Sequence, residues 1–355
     1  MPTSIWQVLR SWFTRNFSHP EAIAFVLMMV VSGLIIGWFG SILTPVFVSI
    51  ALAYVLQAAV RGLEHVKCPH MLAVVVVFLV FLGVLIGLLV GLLPAVWRQA
   101  FNLVHALPSM LTAAQVWLGV WLKPYAHYFP VDPLQNAVLW LKTQVGQLGP
   151  KVVSASLSSI PGLIEAVLYL VLVPLLVFFF LKDGQPIMAW CGRYLPMHRG
   201  LLHRVWAELH VSIGAYVRGR LIEMLIVGTA CEIAFASLGL PYALLLSAAV
   251  AVSVVIPYIG AVVVTIPVVI IGLLEWGATA HLGYLIACYA VIITLDANVL
   301  VPLLFSETMK LHPIVIILAV LVFGGLWGFW GVFFAIPLAT LVKTLLQEWP
   351  QVRKD

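Results

Sequence analysis

Long apolar runs separated by short polar stretches are the dominant pattern of this chain. An α-helix needs ~20 mostly apolar residues to cross the hydrocarbon core of a bilayer, which is about 30 Å thick. Six runs approach or exceed this length, and they occupy residues 22–39, 42–60, 71–96, 163–181, 221–238 and 282–304. The pattern therefore predicts six membrane-spanning helices.

Two further apolar regions near the C-terminus are each divided by a short break. V-I-P-Y-I-G separates residues 241–256 from 260–274, and F-G-G-L-W-G-F-W-G separates residues 313–322 from 332–346. Arms this short suit re-entrant helical hairpins, because each is below the length needed for a crossing. We expect two such hairpins beside the six spans, with ten shorter crossings as the alternative.

The same region contains an internal repeat. Helices that open with G-R-L-I and G-Y-L-I each carry a carboxylate thirteen residues later, at Glu232 and Asp296. Each is followed by a divided apolar region that runs to an Ile-Pro pair, at Pro267 or Pro337. An odd number of predicted crossings separates the copies, so they would lie in opposite orientations. Inverted repeats of broken helices with an acidic residue at depth are typical of secondary transporters.

Composition supports a membrane protein and excludes the nucleic-acid binders that a basic chain would otherwise suggest. Of all residues 63% are hydrophobic and 9% charged, whereas soluble domains carry about a quarter charged residues. The net charge of +5 comes from basic residues that flank the predicted spans, which favours orientation and anionic headgroups over nucleic acid. We therefore predict an all-α polytopic protein whose surroundings are the lipid bilayer.

Basic residues also predict the orientation. They concentrate at 61–67 and 182–220, so the positive-inside rule places these segments and both termini in the cytoplasm. Residues 98–159 then lie outside, where apolar positions at helical spacing in 103–117 and 138–148 predict amphipathic helices along the surface or a hairpin for self-association. Cytoplasmic helices are expected within 182–220.

Four parts follow from this organisation. Residues 1–96 form scaffold spans, 97–162 an outer amphipathic helical segment, 163–220 the fourth span with basic cytoplasmic helices, and 221–355 an inverted-repeat transport core.

Carboxylates within apolar helices are the candidate coupling groups. An ionised carboxylate at bilayer depth costs several kcal/mol unless it is protonated, cation-bound or hydrated, and Asp296 and Glu232 lie near the middle of predicted spans. Thr294 and Asn298 neighbour Asp296 and offer oxygen ligands of the kind that hard cations prefer. The alternative is a carboxylate capped by a Tyr or Ser that only holds helices together. Glu223 and Glu165 lie near predicted helix ends, where we expect capping or snorkelling, and a milder effect of substituting Glu223.

The hairpin tips are candidates for the substrate path, because broken backbone at depth must line a cavity. Close helix packing by glycine is the alternative. The candidate residues are Pro257, Tyr258, Gly260, Pro267, Gly324, Gly325, Gly328, Gly331 and Pro337. The sequence shows no phosphate-binding G-x-x-x-x-G-K-[ST] motif, metal-ligand spacing or nucleophile–base arrangement. We predict neither an enzyme nor a bound cofactor or metal, apart from transported H⁺ or Na⁺.

Four stretches resemble the signatures of the autoinducer-2 exporter family, and the order of elements agrees over essentially the whole chain. They are I-P-Y-I-G at 256–260, L-D-A-N-V-L-V-P at 295–302, L-H-P at 311–313 and F-G-G-L-W-G-F-W-G-V-F-F-A-I-P-L-A at 323–339. The resemblance implies a bacterial inner-membrane transporter. Some members of the family export autoinducer-2 and others are sodium(lithium)/proton antiporters. It also implies a homo-oligomer, with a pentamer as a candidate assembly.

The leading hypothesis is a secondary transporter, a permease or exporter, that moves a small solute coupled to H⁺ or Na⁺. A dedicated Na⁺(Li⁺)/H⁺ antiporter is the first alternative, and it would need no pocket for an organic solute. An oligomeric channel or membrane scaffold is the second.

Overall fold

The computed structural model describes residues 20–122, 143, 160–193, 200–257, 259–305 and 311–348. These residues contain α-helices, π-helical turns and short connections, and no strand, which confirms the all-α prediction. The α-helices are α1 (Pro20–His65), α2 (His70–Gly87), α3 (Leu93–Leu122), α4 (Ile160–Arg193), α5 (Gly200–Ser237), α6 (Ala243–Ser253), α7 (Ile259–Trp276), α8 (Ala280–Leu295), α9 (Val301–Phe305), α10 (Pro313–Phe333) and α11 (Ala335–Glu348). Two five-residue π-helical turns, Leu88–Leu92 and Asp296–Leu300, join α2 to α3 and α8 to α9.

Six helical stretches in the described part of the chain are long and apolar enough to cross a membrane. They are Ile42–His65, His70–Ala113, Ile164–Trp190, Ile259–Trp276, Ala280–Phe305 and Pro313–Phe333. The number agrees with the prediction, but two of the six belong to the predicted hairpins. The predicted span at 221–238 is not among them, because it is part of α5, which carries Arg220, Glu223 and Glu232.

The prediction of two antiparallel spans at 22–39 and 42–60 is wrong. Both runs belong to α1, one helix of 46 residues that contains Pro45 without reversing direction. A reversal needs residues that leave helical geometry, and the two residues between the runs, Gly40 and Ser41, are helical. Hydropathy alone does not distinguish two crossings from one long helix.

The third predicted span and the outer segment that follows it are also continuous. Residues 70–122 run through α2, the π-helical turn and α3 without a break. The first amphipathic stretch, 103–117, is therefore the extension of a span, and Leu103 packs against the apolar core of α5–α8. The second stretch, 138–148, lies outside the described residues apart from Thr143. The cytoplasmic helix and the span predicted on either side of Arg220 are likewise one helix, α5.

The chain divides into two compact units, each built from separate segments. The first comprises Met1–Leu79, Val171–Gly219 and Phe305–Asp355. In it, Ser49 Oγ on α1 lies 3.2 Å from the Val173 carbonyl oxygen on α4, and the Tyr54 hydroxyl lies 2.7 Å from His210 Nδ1 on α5. Burial, and then the charges of Arg61 and Arg218, lower the pKa of His210 below its ordinary value of 6.5.

The second unit comprises Val80–Leu170 and Arg220–Leu304. Its apolar core joins α5, α6, α7 and α8 through buried side chains such as Val227, Phe235, Leu246 and Leu285. Within a bilayer these side chains stabilise the unit through close packing, because lipid tails are as apolar as the side chains themselves. This core holds the candidate site, whose charged residues come from α5 and from the π-helical turn after α8.

Candidate functional site

The first hairpin, α6 and α7, breaks where the sequence predicts. The two helices are joined by residues 254–258, and Gly260 packs directly on the Ser253 carbonyl, so that a Cβ at this position would overlap that oxygen. Pro257 and Gly260 are buried, Pro267 is exposed, and Tyr258 lies outside the described residues. Only glycine permits so close an approach between the two arms.

The short arm α6 is held at its beginning by a residue from α3. Tyr242, the residue before α6, adopts a left-handed conformation (φ 60°) and its side chain does not cap the helix. Instead Gln99 Oε1 accepts a hydrogen bond from the backbone N–H of Leu245 at 2.9 Å. One of the first N–H groups, which a helix leaves without an internal partner, is satisfied in this way.

The second hairpin also breaks within the predicted glycine-rich stretch. The chain leaves helical geometry at Gly328 (φ 59°, ψ −136°), so the regular part of α10 ends there. Gly331 packs on the Phe323 carbonyl so closely that a Cβ would overlap its oxygen, and a Cβ on Gly324 would lie 2.7 Å from Val332. Gly331 is buried and Gly325 is exposed. Residues 313–327 form about 22 Å of helix, which is less than the thickness of a bilayer core, although the whole of α10 has the length of a membrane span.

Two indole groups fix this tip to α1 within the same unit. Trp327 Nε1 donates to the Gly33 carbonyl oxygen at 3.4 Å, and Trp330 Nε1 donates to Thr44 Oγ1 at 3.1 Å. The second Ile-Pro pair, with Pro337 buried in α11, follows the tip. Both hairpins therefore close on a glycine that packs against a backbone carbonyl seven or eight residues earlier, and this local likeness agrees with the predicted repeat.

A buried ion pair lies beside the first break. Arg220 and Glu223 on α5 are 2% and 1% exposed. Arg220 Nη1 donates to Glu223 Oε1 at 3.0 Å and to Oε2 at 2.7 Å, and it also donates to the Val254 carbonyl oxygen at 3.0 Å. A cation bound to a carbonyl at the C-terminal end of α6 is favoured by the helix dipole.

The positions of Arg220 and Glu223 correct two expectations. Arg220 does not belong to the solvated basic segment 182–220, and Glu223 is neither capping a helix end nor snorkelling. We now expect substitution of Glu223 to have a large effect instead of a mild one, because the change would leave a buried guanidinium without its carboxylate.

Asp296 completes this group of charges. It begins the π-helical turn Asp296–Leu300 and interacts electrostatically with Arg220, Glu223 and the thiol of Cys231. Its side chain is half-buried, and Oδ1 is buried and accepts no hydrogen bond from the residues that the structure describes. Such π-helical turns occur frequently at functional sites. An unsatisfied buried oxygen of a carboxylate is the kind of atom that a proton or a cation would occupy.

Thr294 and Asn298 face away from this group. Both are exposed, and Asn298 Nδ2 donates to the Thr294 carbonyl oxygen at 2.8 Å. Residues two positions apart on a helix point in different directions, and no hydrogen bond joins Asp296 Oδ1 to either of them. The predicted oxygen ligands are thus not brought together with Asp296.

Glu232 has the surroundings of the structural alternative. Its Oε2 accepts a hydrogen bond from Ser247 Oγ at 2.7 Å, which links α5 to α6. Close packing reinforces the link, since a Cβ on Gly228 would lie 2.8 Å from that of Ala251. Glu232 therefore holds two helices together, while Asp296 lies with Arg220 and Glu223. Among the described residues, no three His, Cys, Asp or Glu side chains converge on a metal-sized site.

Comparison with known proteins agrees with these features. The model of the AI-2E family transporters matches residues 6–351, nearly the whole chain. The protein belongs to the AI-2E family. It is 43% identical to the protein named "Putative permease PerM" of Escherichia coli (strain K12), over 97% of this chain and 98% of that one.

More distant relatives also cover most of the chain. The "Putative transport protein YueF" of Bacillus subtilis (strain 168) is 28% identical over 84% of this chain and 82% of its own length. A second B. subtilis relative, YrrI, is 26% identical over 89% and 88%. The protein is thus a multi-pass membrane transport protein of the AI-2E family, which is a family of transporters rather than enzymes.

Proposed function

We propose that this protein is a secondary transporter of a small solute in the bacterial cytoplasmic membrane, and that Asp296 takes up and releases the coupling ion, H⁺ or Na⁺. One observation carries the proposal: within the described part of the chain, Asp296 Oδ1 is buried and accepts no hydrogen bond, while the ion pair beside it is already formed. The negative charge on Asp296 is then poorly compensated within an apolar helix. Binding of one cation lowers the free energy of the site, and its release requires hydration from one side.

The first hairpin gives this site a means of changing its access. Val254, whose carbonyl binds Arg220, lies in the break between α6 and α7. A change of charge at Asp296 therefore acts on a group bound to the broken backbone. In the proposal the two hairpins are re-entrant and inverted, and the substrate path passes their tips. Homo-oligomers, with a pentamer as a candidate assembly, belong to the same proposal.

A dedicated Na⁺(Li⁺)/H⁺ antiporter is the second candidate. The same observation favours it, because a single carboxylate that exchanges a proton for a metal cation needs no organic solute. The two candidates share the site and differ in the cargo.

The test compares wild-type protein with Asp296→Asn in sealed liposomes. A pH-sensitive dye reports proton movement driven by an imposed Na⁺ or Li⁺ gradient, and a panel of radiolabelled solutes reports coupled uptake. Glu232→Gln is the matched control, because it is the same change in a half-buried carboxylate whose remaining oxygen still accepts from Ser247.

We expect Asp296→Asn to fold and to lose gradient-driven transport, and Glu232→Gln to retain it. Proton movement without any solute would favour the antiporter. Transport by Asp296→Asn with unchanged dependence on H⁺ and Na⁺ would contradict the coupling role. Passive flux of an ion down its own gradient, with no second ion required, would favour a channel.

A further inference from the structure

The buried charges beside the first hairpin can be counted. Arg220 contributes one positive charge, and Glu223 and Asp296 one negative charge each when ionised. Glu223 accepts from Arg220 through both of its oxygens, which is the geometry of an ionised carboxylate. The third acceptor of Arg220 Nη1, the Val254 carbonyl, is a dipole without net charge. Among the described residues, this group of three therefore carries one net negative charge when both carboxylates are ionised.

Net charge decides which ion such a site accepts. Charges in a poorly polarisable interior interact far more strongly than in water, so an excess or deficit of one charge is strongly unfavourable. One proton or one monovalent metal ion brings this group to neutrality. A divalent ion leaves one uncompensated positive charge beside Arg220.

We propose that Arg220 sets the valence of the ion bound at Asp296, so that the site takes one proton or one monovalent cation and rejects divalent cations. This inference rests on the proposed role of Asp296 as the coupling site. Arg220 acts here as a residue that determines specificity through charge, and it need not touch the ion. Other titratable groups near Asp296 are Glu223 on α5 and the thiol of Cys231.

Substituting Arg220 tests the inference because it changes the net charge of the group and leaves both carboxylates in place. Arg220→Gln leaves two negative charges, so the site should gain affinity for Ca²⁺ and Mg²⁺ by about tenfold or more and lose its preference for Na⁺. Arg218→Gln is the matched control, since Arg218 is half-buried two residues earlier on the same helix and lies outside the pair. We expect this control to bind ions as the wild-type protein does.

A second pair of variants keeps the test valid if Arg220→Gln does not fold. Glu223→Gln leaves the group neutral and should abolish Na⁺ binding. Adding Arg220→Gln to it restores one negative charge, and Na⁺ binding should return. Failure of the double variant to bind Na⁺, while it remains folded, would overturn the inference.

Binding is measured on purified full-length protein in detergent, by calorimetry with NaCl, LiCl, CaCl₂ and MgCl₂. If no metal ion binds to the wild-type protein, proton uptake on acidification replaces calorimetry. Asp296→Asn should then take up one proton fewer than wild type, and Arg220→Gln one proton more.

The outcomes separate the two proposals. Equal ion binding by wild type and Asp296→Asn would contradict the coupling role of Asp296 itself. Binding that requires Asp296 but keeps the same monovalent preference in Arg220→Gln would overturn only the role of Arg220.

Discussion

The buried pair makes Glu223→Gln a sensitive test of the site. The substitution preserves volume but removes the negative charge opposite Arg220, which is 2% exposed. Removing one partner of a buried ion pair costs about 3–5 kcal/mol. The glutamine carbonyl still offers one oxygen to Arg220, and the Val254 carbonyl remains, so we expect the lower end, about 3 kcal/mol. Against a typical unfolding free energy of about 5–15 kcal/mol, this is a large loss.

The assay is equilibrium unfolding in mixed detergent micelles, followed by circular dichroism. Glu165→Gln is the matched control, because Glu165 lies exposed on α4, and it should change the free energy of unfolding by less than about 0.5 kcal/mol. The double variant Arg220→Met, Glu223→Leu replaces both charges with apolar groups and should recover most of the lost stability. If Glu223→Gln is as stable as Glu165→Gln, the pair is not a buried ion pair. The net charge assigned to the group of Arg220, Glu223 and Asp296 would then be wrong as well.

Three further predictions concern other parts of the molecule. Gly331→Ala should lower stability by about 2 kcal/mol, since its Cβ would overlap a backbone carbonyl, whereas thermal unfolding of Gly325→Ala, which meets nothing within 4 Å, should match wild type. Because the pKa of His210 is lowered in the folded protein, its contribution to stability is present above about pH 6.5 and is lost as the pH falls below it. Denaturant titrations at several pH values should show that the stability of His210→Gln falls less on acidification than that of wild type. An equal fall in both proteins would contradict the assignment. In a cysteine-free background, an impermeant thiol reagent should label a cysteine at position 130 in intact cells and not one at position 199, and the reverse pattern would invert the proposed orientation.

Features with a local signature were predictable from the sequence. The hairpin breaks lie where proline and glycine cluster, because Gly260 and Gly331 permit approaches that no side chain allows. Asp296 was predictable as an acidic residue within an apolar run. The orientation of Thr294 and Asn298 also follows from helical periodicity, since positions two residues apart do not share a face.

The partners of buried charged side chains were not predictable in the same way, because the fold decides which groups lie next to each charge. Arg220 ends a basic stretch, so its sequence context indicates a solvated cytoplasmic charge, whereas the fold pairs it with Glu223 in the core. The i, i+3 spacing of the two residues was the available signal. Glu232 and Asp296 look equivalent in the repeat, but only the position of Ser247 in the fold distinguishes the helix-linking carboxylate from the one with an unsatisfied oxygen.

The continuity of α1 bears on the sidedness of the chain. A helix of 46 residues is about 69 Å along its axis, which is more than twice the thickness of the hydrocarbon core. If α1 crosses the membrane once, its two ends emerge in different compartments, whereas a pair of antiparallel spans would return the chain to the side from which it started. If the basic turn at 61–67 faces the cytoplasm, residue 20 faces the periplasm or the medium. The side of the membrane on which each later loop lies is then assigned from that turn. An epitope placed before α1 would be found in the opposite compartment from one placed after it.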